Sequence, residues 1–352
     1  MTAVFVELAR ERILHAAAKG DALRLRGGGT KDFHGGALQG EVLDTRAHAG
    51  IVAYDPSELV LTVRAGTLLA EVETALAQCG QMLAFEPPHF GTAATIGGCV
   101  AAGLSGPRRM QVGAVRDFLL GATLMDGRGE TSSFGGQVMK NVAGFDLFRL
   151  QAGAMGTLGV LLELSFKVLP LPATEITCVF ECAAAQAIGM MNRHAGQPLP
   201  ISAACHAEGL LRLRLSGNEA AVRAASARLG GTFDDSGAQF WNDLREQRLP
   251  FFAGDAPLWR LAVKSTTPPL VAAGAELIDW GGAQRWLRSS ESTRTMRDKA
   301  QAAGGHATLF RNGLRSDAFQ PPARALFALH RRLKQTFDPA GVFNPGRLYP
   351  EF

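Results

Sequence analysis

Three glycine-rich segments in the first half of the chain carry residue types that can bind a phosphorylated ligand. The first is Arg26-Gly27-Gly28-Gly29-Thr30-Lys31-Asp32, which follows a predicted strand. Consecutive glycines allow successive backbone N–H groups to converge on an anion, and a threonine hydroxyl adds a further donor. The spacing matches neither the P-loop nor the dinucleotide-binding G-x-G-x-x-G pattern. The residues alone therefore leave two interpretations open, a flexible turn and a phosphate cradle.

The second and third segments suit a flat ligand. Residues 91–106 are small and uncharged, and such a run lets the backbone lie closely against an extended ring system. We favour this interpretation over the alternative, a helix of small residues at 97–103 that packs on a sheet. The third segment combines Lys140–Asp146 with glycines spaced three apart from 153 to 159. Backbone groups at such a turn can meet the polar edge of a planar ring.

Proton transfer and metal binding require histidine or acidic side chains that are grouped in space. The eight histidines are scattered, and the closest pair, His194 and His206, is twelve residues apart. We therefore predict no metal site and assign no catalytic pair. His306, within Gly304–Thr308, is the one weak candidate for a catalytic base, although a lone histidine is more typical of a structural or solvated residue.

Short strands and helices must position these segments. Alternation of apolar and polar residues predicts strands at 22–26, 59–64, 118–125, 130–134, 159–169, 176–182 and 210–215. Apolar residues at helical spacing predict helices at 67–79, 183–195, 219–229 and 323–336.

A proline pair at 170 and 172 suggests the domain organisation. We expect a first domain over residues 1–172, a second over 173–336 and a C-terminal tail over 337–352. In the second domain, strands alternate with helices. This order predicts an antiparallel sheet with helices on one face.

Composition excludes several classes of protein. With 47% hydrophobic and 19% charged residues the chain can bury a core and is not of the disordered class. No run approaches the ~18 apolar residues of a membrane span, and the N-terminus lacks the pattern of a signal peptide. Five cysteines without a C-x-x-C pair are typical of reduced thiols in the cytoplasm. A net charge of +4 without a basic run suits a small anionic substrate and argues against nucleic acid.

Taken together and in order, these segments resemble the PCMH-type FAD-binding domain of the vanillyl-alcohol-oxidase and D-lactate-dehydrogenase flavoprotein superfamily. The motifs are RGGGTKDFHG, PSELVLTVRAGT, EPPHFGTAATIGGCVAAGLSGPRR, VRDFLLGATLMDGRGE, MKNVAGFD and GAMGTLGVLLELSFKVLP, within residues 20–170. Four later motifs, PFFAGDAPLWRLAV, ELIDWGGAQRWL, AGGHATLFR and FDPAGVFNPGRLYPE, resemble the FAD-binding subunits of bacterial glycolate oxidases (glycolate dehydrogenases). The resemblance spans nearly the whole chain.

The resemblance implies an α+β fold, in which a PCMH-type FAD-binding domain of two subdomains precedes a smaller cap domain with an antiparallel sheet. The resemblance also implies noncovalent FAD. Relatives that attach flavin through a histidine carry that histidine directly after the glycines, whereas in this chain His34 follows four residues later. The residues that it places around FAD are Arg26, Gly27, Gly28, Gly29, Thr30, Lys31 and Asp32 at the pyrophosphate; Pro88, Thr95, Gly97, Gly98, Gly103 and Ser105 along the flavin and ribityl chain; Arg116, Asp117, Gly156 and Val160 further along; and Asn344 in the returning C-terminus.

The implied function is that of the FAD-binding subunit of a multisubunit glycolate oxidase, which converts glycolate to glyoxylate. The implied partners are a larger FAD-containing catalytic subunit and an iron–sulfur subunit, which receives electrons. We expect a cytoplasmic location, with any attachment to the inner face of the membrane made through these partners.

One departure from the family keeps two alternatives open. Catalytic relatives carry paired histidines and an acidic residue in a G-H-x-G-D-G-N-x-H context, and the partners of such a histidine are missing around His306. The chain is then either a non-catalytic interaction subunit that FAD only stabilises, or a stand-alone flavin oxidase of another small alcohol or 2-hydroxy acid. The second alternative requires a base near the flavin, such as His306 or His89.

Overall fold

The computed structural model describes residues 2–136, 146–271 and 275–352. The helices are α1 (Thr2–Lys19), α2 (Leu69–Gln78), α3 (Ile96–Ala102), α4 (Arg109–Val112), α5 (Val115–Phe118), α6 (Ala184–Ala195), α7 (Glu219–Leu229), α8 (Gly237–Arg245), α9 (Thr293–Ala302) and α10 (Arg324–Phe337). The strands are β1 (Leu23–Arg26), β2 (Glu41–Asp44), β3 (Ile51–Asp55), β4 (Val60–Arg64), β5 (Gln81–Met82), β6 (Leu119–Met125), β7 (Thr131–Gly135), β8 (Val160–Lys167), β9 (Leu169–Pro170), β10 (Thr174–Glu181), β11 (Ile201–Ala207), β12 (Leu210–Gly217), β13 (Thr232–Phe233), β14 (Leu258–Ala262), β15 (Glu276–Asp279), β16 (Gln284–Arg288) and β17 (His306–Arg311). No helix of these residues is long and apolar enough to span a membrane.

Two large antiparallel sheets organise these strands. The first has five strands in the order β3-β4-β8-β6-β7, and the second has eight in the order β13-β10-β12-β11-β15-β16-β14-β17. A parallel pair, β1-β2, and a short antiparallel pair, β5-β9, complete the sheets of the described residues. The mixture of helices and antiparallel sheets confirms the predicted α+β class. The domain boundaries at 172 and 336 stay predictions.

The segment of small residues forms helix α3, as in the alternative interpretation, and its contact with a flat ligand stays a prediction. The side chain of Thr95 caps the helix by accepting a hydrogen bond from Gly98 N at 3.2 Å. Gly103 ends it in the left-handed conformation, with φ at 66°. A Cβ atom on Gly97 would lie 2.7 Å from Ala65 Cβ. The small residues therefore allow the helix to pack closely on the end of β4.

The Thr95 cap leads to a first prediction. Thr95→Ala removes the side-chain acceptor of the Gly98 N–H, so we expect the free energy of unfolding in urea to fall by about 1 kcal/mol. Thr95→Ser keeps a hydroxyl at the same place and serves as the matched control, with a smaller loss. Equal losses in the two variants would contradict the capping role.

The eight-stranded sheet has two different faces. Helices α6, α7 and α9 pack on one face, where β12 presents Leu211 and Leu215 and β14 presents Leu261. Helix α8 lies on the other face, where Trp241 packs in a cluster with Leu104 from the loop after α3. The prediction of helices on one face thus holds for three of these four helices. The face with α8 is the one that meets the first half of the chain.

Candidate functional site

A cleft in the first half brings together most of the residues predicted around the pyrophosphate. It is lined by Leu25, Arg26, Gly27, Gly28, Gly29, Thr30, Lys31, Asp32, Leu38, Thr95, Gly98, Ala101, Ala102, Met155, Asn344 and Arg347. An adjoining cavity shares part of this lining and adds Thr45, Ala65, Gly97, Gly156, Gly159, Val160 and Leu161. The glycine loop, helix α3 and the turn before β8 therefore form one site.

The loop of residues 27–31 offers hydrogen-bond donors to the cleft. None of its five amide N–H groups donates to another group in the described part of the chain. The two following turns are closed by Asp32 N, which donates to Gly29 O, and by His34 N, which donates to Lys31 O, each at 3.0 Å. Successive free amides of this kind form an anion-binding concavity.

Glycine is required at two positions of this loop because it packs directly on the segment before α3. A Cβ atom on Gly28 would lie 1.5 Å from the carbonyl oxygen of Ala93, and one on Gly27 would lie 2.2 Å from Thr95 Oγ1. Any side chain at these positions would push the loop away from the helix. Together, the close approach and the free amides fit the diphosphate of FAD.

The charges around the loop favour an anion. Arg26, Lys31 and Arg347 line the cleft with a single carboxylate, Asp32, which Arg26 contacts at 3.2 Å. Burial lowers the pKa of Lys31, whose Nζ donates to the carbonyl of His89 at 3.2 Å. Burial also lowers the pKa of Arg347 to about 10. Three partly or fully buried cations against one carboxylate leave the cleft with a positive charge.

The C-terminal segment forms one wall of the cleft. Asn344 accepts a hydrogen bond from Leu25 N at 2.9 Å and donates one to Met155 O at 2.7 Å. Arg347 donates to the carbonyls of Lys31 and Asp32 at 3.2 Å. The segment therefore ties β1, the glycine loop and the turn before β8 together.

A buried ion pair fixes this segment. Lys334 Nζ lies 2.6 Å from Asp338 Oδ2 and donates to the carbonyls of Thr157 and Phe343 at 2.9 Å each. Asp338 also accepts from the Phe343 N–H at 2.8 Å. The pair thereby holds the chain in place immediately before Asn344.

Pro88 and Ser105, the other residues predicted beside the flavin, line a second cavity. Its lining comprises Pro88, Phe90, Leu104, Ser105, Gly106, Pro107, Leu244, Arg245, Gln247, Arg260, Asp279, Gln284, Trp286 and Phe310. The second cavity thus lies between the loop after α3 and the eight-stranded sheet. Lys31 of the cleft has its Nζ 5.8 Å from the centroid of the Phe90 ring, and α3 leads from one cavity to the other.

Asp279 is the carboxyl group of the second cavity. Its side chain accepts hydrogen bonds from Trp280 N at 2.7 Å and from Gln284 Nε2 at 3.1 Å. The residue is 3% exposed. Burial raises the pKa of Asp279 to about 7, and the two hydrogen bonds oppose this shift only in part.

The raised pKa makes folding stability depend on pH. Between pH ~4 and pH ~7 the folded state keeps a proton on Asp279 that the unfolded state releases, so this group lowers stability as pH rises through that range. We expect Asp279→Asn to gain stability relative to the wild type from pH ~5 to pH ~8 in urea unfolding. Asp298→Asn, on the exposed face of α9, is the matched control and should leave the pH dependence unchanged. Parallel curves for the wild type and Asp279→Asn would contradict the assignment.

Arg260 is the unpaired cation of the second cavity. It lies on β14 opposite Trp286, and its guanidinium carbon is 5.6 Å from the centroid of the Phe310 ring. Its side chain forms no hydrogen bond or ion pair with any described residue. Burial lowers the pKa of Arg260 to about 10, and the charge of Arg109 adds to this effect. An anion in the cavity would offset both the burial of the Arg260 guanidinium and its repulsion by Arg109.

Three of the predicted cofactor residues lie outside both the cleft and the second cavity. Gly103 ends α3, and a Cβ there would lie 2.7 Å from Gly153 Cα. Arg116 has an exposed side chain, and Asp117 accepts a hydrogen bond from Ala114 N at 2.8 Å at the start of α5. Their assignment to FAD stays a prediction.

The histidines of interest also lie outside the two cavities. His306 is exposed at the start of β17. His34 is 1% exposed and packs against Phe310, with ring centroids 4.7 Å apart. Burial holds its pKa well below the usual value. Of the third glycine segment, residues 140–145 lie outside the described residues.

The lining residues that sequence reasoning missed include Arg260, Asp279, Gln284 and Arg347. Arg347 follows the Asn-Pro-Gly of a motif that we had already quoted. Asp279 and Gln284 both stand in ELIDWGGAQRWL, on either side of its Trp-Gly-Gly turn. For Arg260 the available signal was a single charge within an apolar strand.

The fold and the cleft define a FAD-binding protein of the FAD-linked oxidases. Residues 7–135 match the family "FAD binding domain", and residues 322–348 match "FAD linked oxidases, C-terminal domain". The chain belongs to the family of the glycolate oxidase subunit GlcE of Escherichia coli (strain K12), with 48% identity over 97% of this chain and 96% of that protein. These matches confirm the predicted family and FAD as its cofactor.

Other similarities are more distant. Glycolate oxidase subunit GlcD of Bacillus subtilis is 33% identical over 36% of this chain and 27% of its own length. D-lactate dehydrogenase of Anaerostipes hadrus is 29% identical over 56% of this chain and 43% of its own length. A solved structure of alkyldihydroxyacetonephosphate synthase superposes with a TM-score of 0.67 at 15% identity, covering 96% of this chain and 75% of that one. This last similarity concerns the fold alone.

Proposed function

We propose that this chain is the FAD-bearing subunit of a multisubunit glycolate oxidase, which oxidises glycolate to glyoxylate and passes the electrons to a partner subunit. The observation that carries the proposal is the cleft itself. Five free amides and three cations lie at one end, and α3 connects that end to a second cavity with an unpaired arginine. FAD supplies the two-electron acceptor for this chemistry when it is bound.

The residues have separate roles in this proposal. The amides of residues 27–31 bind the diphosphate, and Gly97 and Gly98 of α3 leave room for the ribityl chain. Asn344 fixes the C-terminal segment that closes the cleft. We infer that FAD is held noncovalently, and the position of His34 outside both cavities supports this.

The partners in this proposal are a larger FAD-containing catalytic subunit and an iron–sulfur subunit. All five cysteines are free, and three of them, Cys99, Cys178 and Cys205, are buried. Within the described ranges no three His, Cys, Asp or Glu side chains group as metal ligands. Onward electron transfer is therefore assigned to a partner subunit. Free thiols also support a location in the reducing cytoplasm.

The test is purification of the complex through a tag on this chain. We expect a yellow preparation that reduces an artificial electron acceptor when glycolate is added. Acid precipitation should release the flavin that belongs to this chain, since it is noncovalent. A chain that is colourless and stays colourless after FAD is supplied would overturn the proposal, as would a tagged complex that is inert towards glycolate.

A further inference from the structure

Helix α10 has a buried side and an exposed side. On the buried side lie Phe337 and Lys334, and the centroid of the Phe327 ring is 5.3 Å from that of Tyr349. Lys334 also donates a hydrogen bond to the carbonyl of Phe343 at 2.9 Å. The C-terminal segment therefore holds α10 in place, and the exposed side of the helix has a fixed orientation.

The exposed side of α10 carries an apolar row beside a row of alanines. Residues three or four apart on a helix are neighbours on its surface. Leu326 and Leu329 form the apolar row and are 47% and 51% exposed. Ala325 and Ala328 are also exposed and run along the middle of this side. The small alanine side chains leave the backbone of α10 open to close approach by a second helix.

Arginines occupy the rest of the exposed side. Arg324 and Arg331 are exposed and stand about two turns apart, across the alanine row from the leucines. Arg332 is exposed at the end of the alanine row. None of these three guanidinium groups forms a hydrogen bond or an ion pair with a residue that the structure describes, and residues 318–337 contain no Asp or Glu. The exposed side of α10 is therefore positively charged and complementary to an acidic surface.

A protein helix suits this surface better than a lipid surface does. A helix that binds in the membrane interface directs its large apolar side chains outward, so that they insert below the headgroups. In α10 the aromatic side chains of Phe327 and Phe337 are directed towards the protein. The middle of the exposed side consists of alanines, which insert little apolar volume. Two leucines beside a row of alanines instead match the groove that a second helix fills.

We propose that the exposed side of α10 binds a helix of a partner subunit, one that is apolar along one side and acidic along the other. The apolar side chains of that helix cover Leu326 and Leu329, and its Asp or Glu side chains pair with Arg324 and Arg331. Helix α10 has 14 residues and is about 21 Å long, which gives room for three to four turns of the partner helix. This inference rests on the proposed function, because it requires that the chain works in a multisubunit complex.

The test uses the complex purified through a tag on this chain, co-expressed with both partner subunits. Its readout is the ratio of each partner subunit to the tagged chain. Arg324→Glu combined with Arg331→Glu sets like charges against the acidic side of the partner helix. Leu326→Ala combined with Leu329→Ala removes the apolar contact and keeps good helix formers. Each double variant should lower the ratio for one partner subunit at least ~10-fold, with circular dichroism and FAD content as in the wild type.

Two exposed positions elsewhere provide matched controls. Arg294→Glu lies on α9, where the side chain of Arg294 is 92% exposed, and Leu8→Ala lies on α1, where Leu8 is 49% exposed. Both controls should keep the wild-type ratios. If the double variants also keep them, the inference is wrong, whereas glycolate turnover by the wild-type complex still supports the proposed function. A wild-type chain that co-purifies with neither partner subunit would overturn both.

A photo-crosslinking amino acid in place of Ala328 identifies the occupant. With p-benzoylphenylalanine at this position, irradiation of the complex should join α10 to a helical segment of one partner subunit that is rich in Asp and Glu, as read by mass spectrometry. A crosslink to a second copy of this chain would overturn the inference. So would binding of the wild-type chain to vesicles of phosphatidylserine and phosphatidylcholine that Arg324→Glu with Arg331→Glu abolishes, because α10 would then bind a membrane.

Discussion

Replacing Gly28 with alanine is expected to remove FAD from this protein. The added Cβ would lie 1.5 Å from the carbonyl oxygen of Ala93, so the glycine loop must move away from the segment before α3. Two or more amide hydrogen bonds to the diphosphate would be lost, each worth about 1.5–3 kcal/mol because the acceptor is charged. We therefore expect FAD affinity, measured by titration of the apoprotein and quenching of flavin fluorescence, to fall by at least ~100-fold.

Gly189→Ala is the matched control for this experiment. Gly189 lies within α6, and nothing is within 4 Å of the position that its Cβ would take. Alanine there should leave FAD affinity unchanged and stabilise the helix by up to ~1 kcal/mol. Circular dichroism of both apoproteins separates loss of the cofactor from loss of the fold. Wild-type FAD affinity in Gly28→Ala would contradict the role of the loop.

Removal of the buried carboxylate at Asp338 is expected to have the largest effect on stability. Its side chain is 0% exposed, and that of Lys334 is 8% exposed. Asp338→Ala leaves the Lys334 ammonium buried without its counter-charge and frees the amide of Phe343. Breaking a buried pair from one side costs about 3–5 kcal/mol, measurable as a loss in the free energy of unfolding. We also expect weaker FAD binding, because the pair fixes the segment that carries Asn344.

Two further variants test whether burial of the Lys334–Asp338 pair causes the expected loss of stability. Lys334→Met combined with Asp338→Ala removes both charges and should recover part of the lost stability. Glu219→Ala breaks the exposed pair with Arg223, which is worth about 0.3–0.5 kcal/mol. A loss below ~1 kcal/mol in Asp338→Ala would show that the pair does not anchor the C-terminal segment.

Local signals predicted seven of the strands and four of the helices. Helix α7 was predicted with the bounds that it has from the helical spacing of its apolar residues, and Val222 and Ala225 lie on its buried face. Strands β6 and β7 were predicted from their alternation of apolar and polar residues, and they pair as an antiparallel hairpin. The glycine loop was identified for the same reason, since its residues are adjacent in sequence and act through their own backbone.

Two segments differ from their predictions for a common physical reason. The residues of α3 serve helix packing and cleft formation together, and their small size is required for both. Helix α2 was predicted from residue 67, but it begins at Leu69, and the Thr67 hydroxyl accepts from Gly50 N at 2.8 Å. Such contacts join residues that are distant in sequence. A local sequence pattern therefore cannot show which of two possible contacts a residue makes.

The second cavity was beyond sequence reasoning for a similar reason. Arg260 and Asp279 come together only because β16 pairs with both β14 and β15. Arg260 is the one charged residue of β14, whereas β15 and β16 each carry more than one polar residue. A search for paired histidines did not identify Asp279, the buried carboxyl group of the second cavity.

The most direct test of the account is the visible spectrum of the purified chain, recorded before and after FAD is supplied. We predict flavin bands from the isolated chain, because the free amides of residues 27–31 and the cations of the cleft bind the diphosphate. A chain that stays colourless after FAD is supplied would contradict this, and would remove the cofactor on which the proposed function depends.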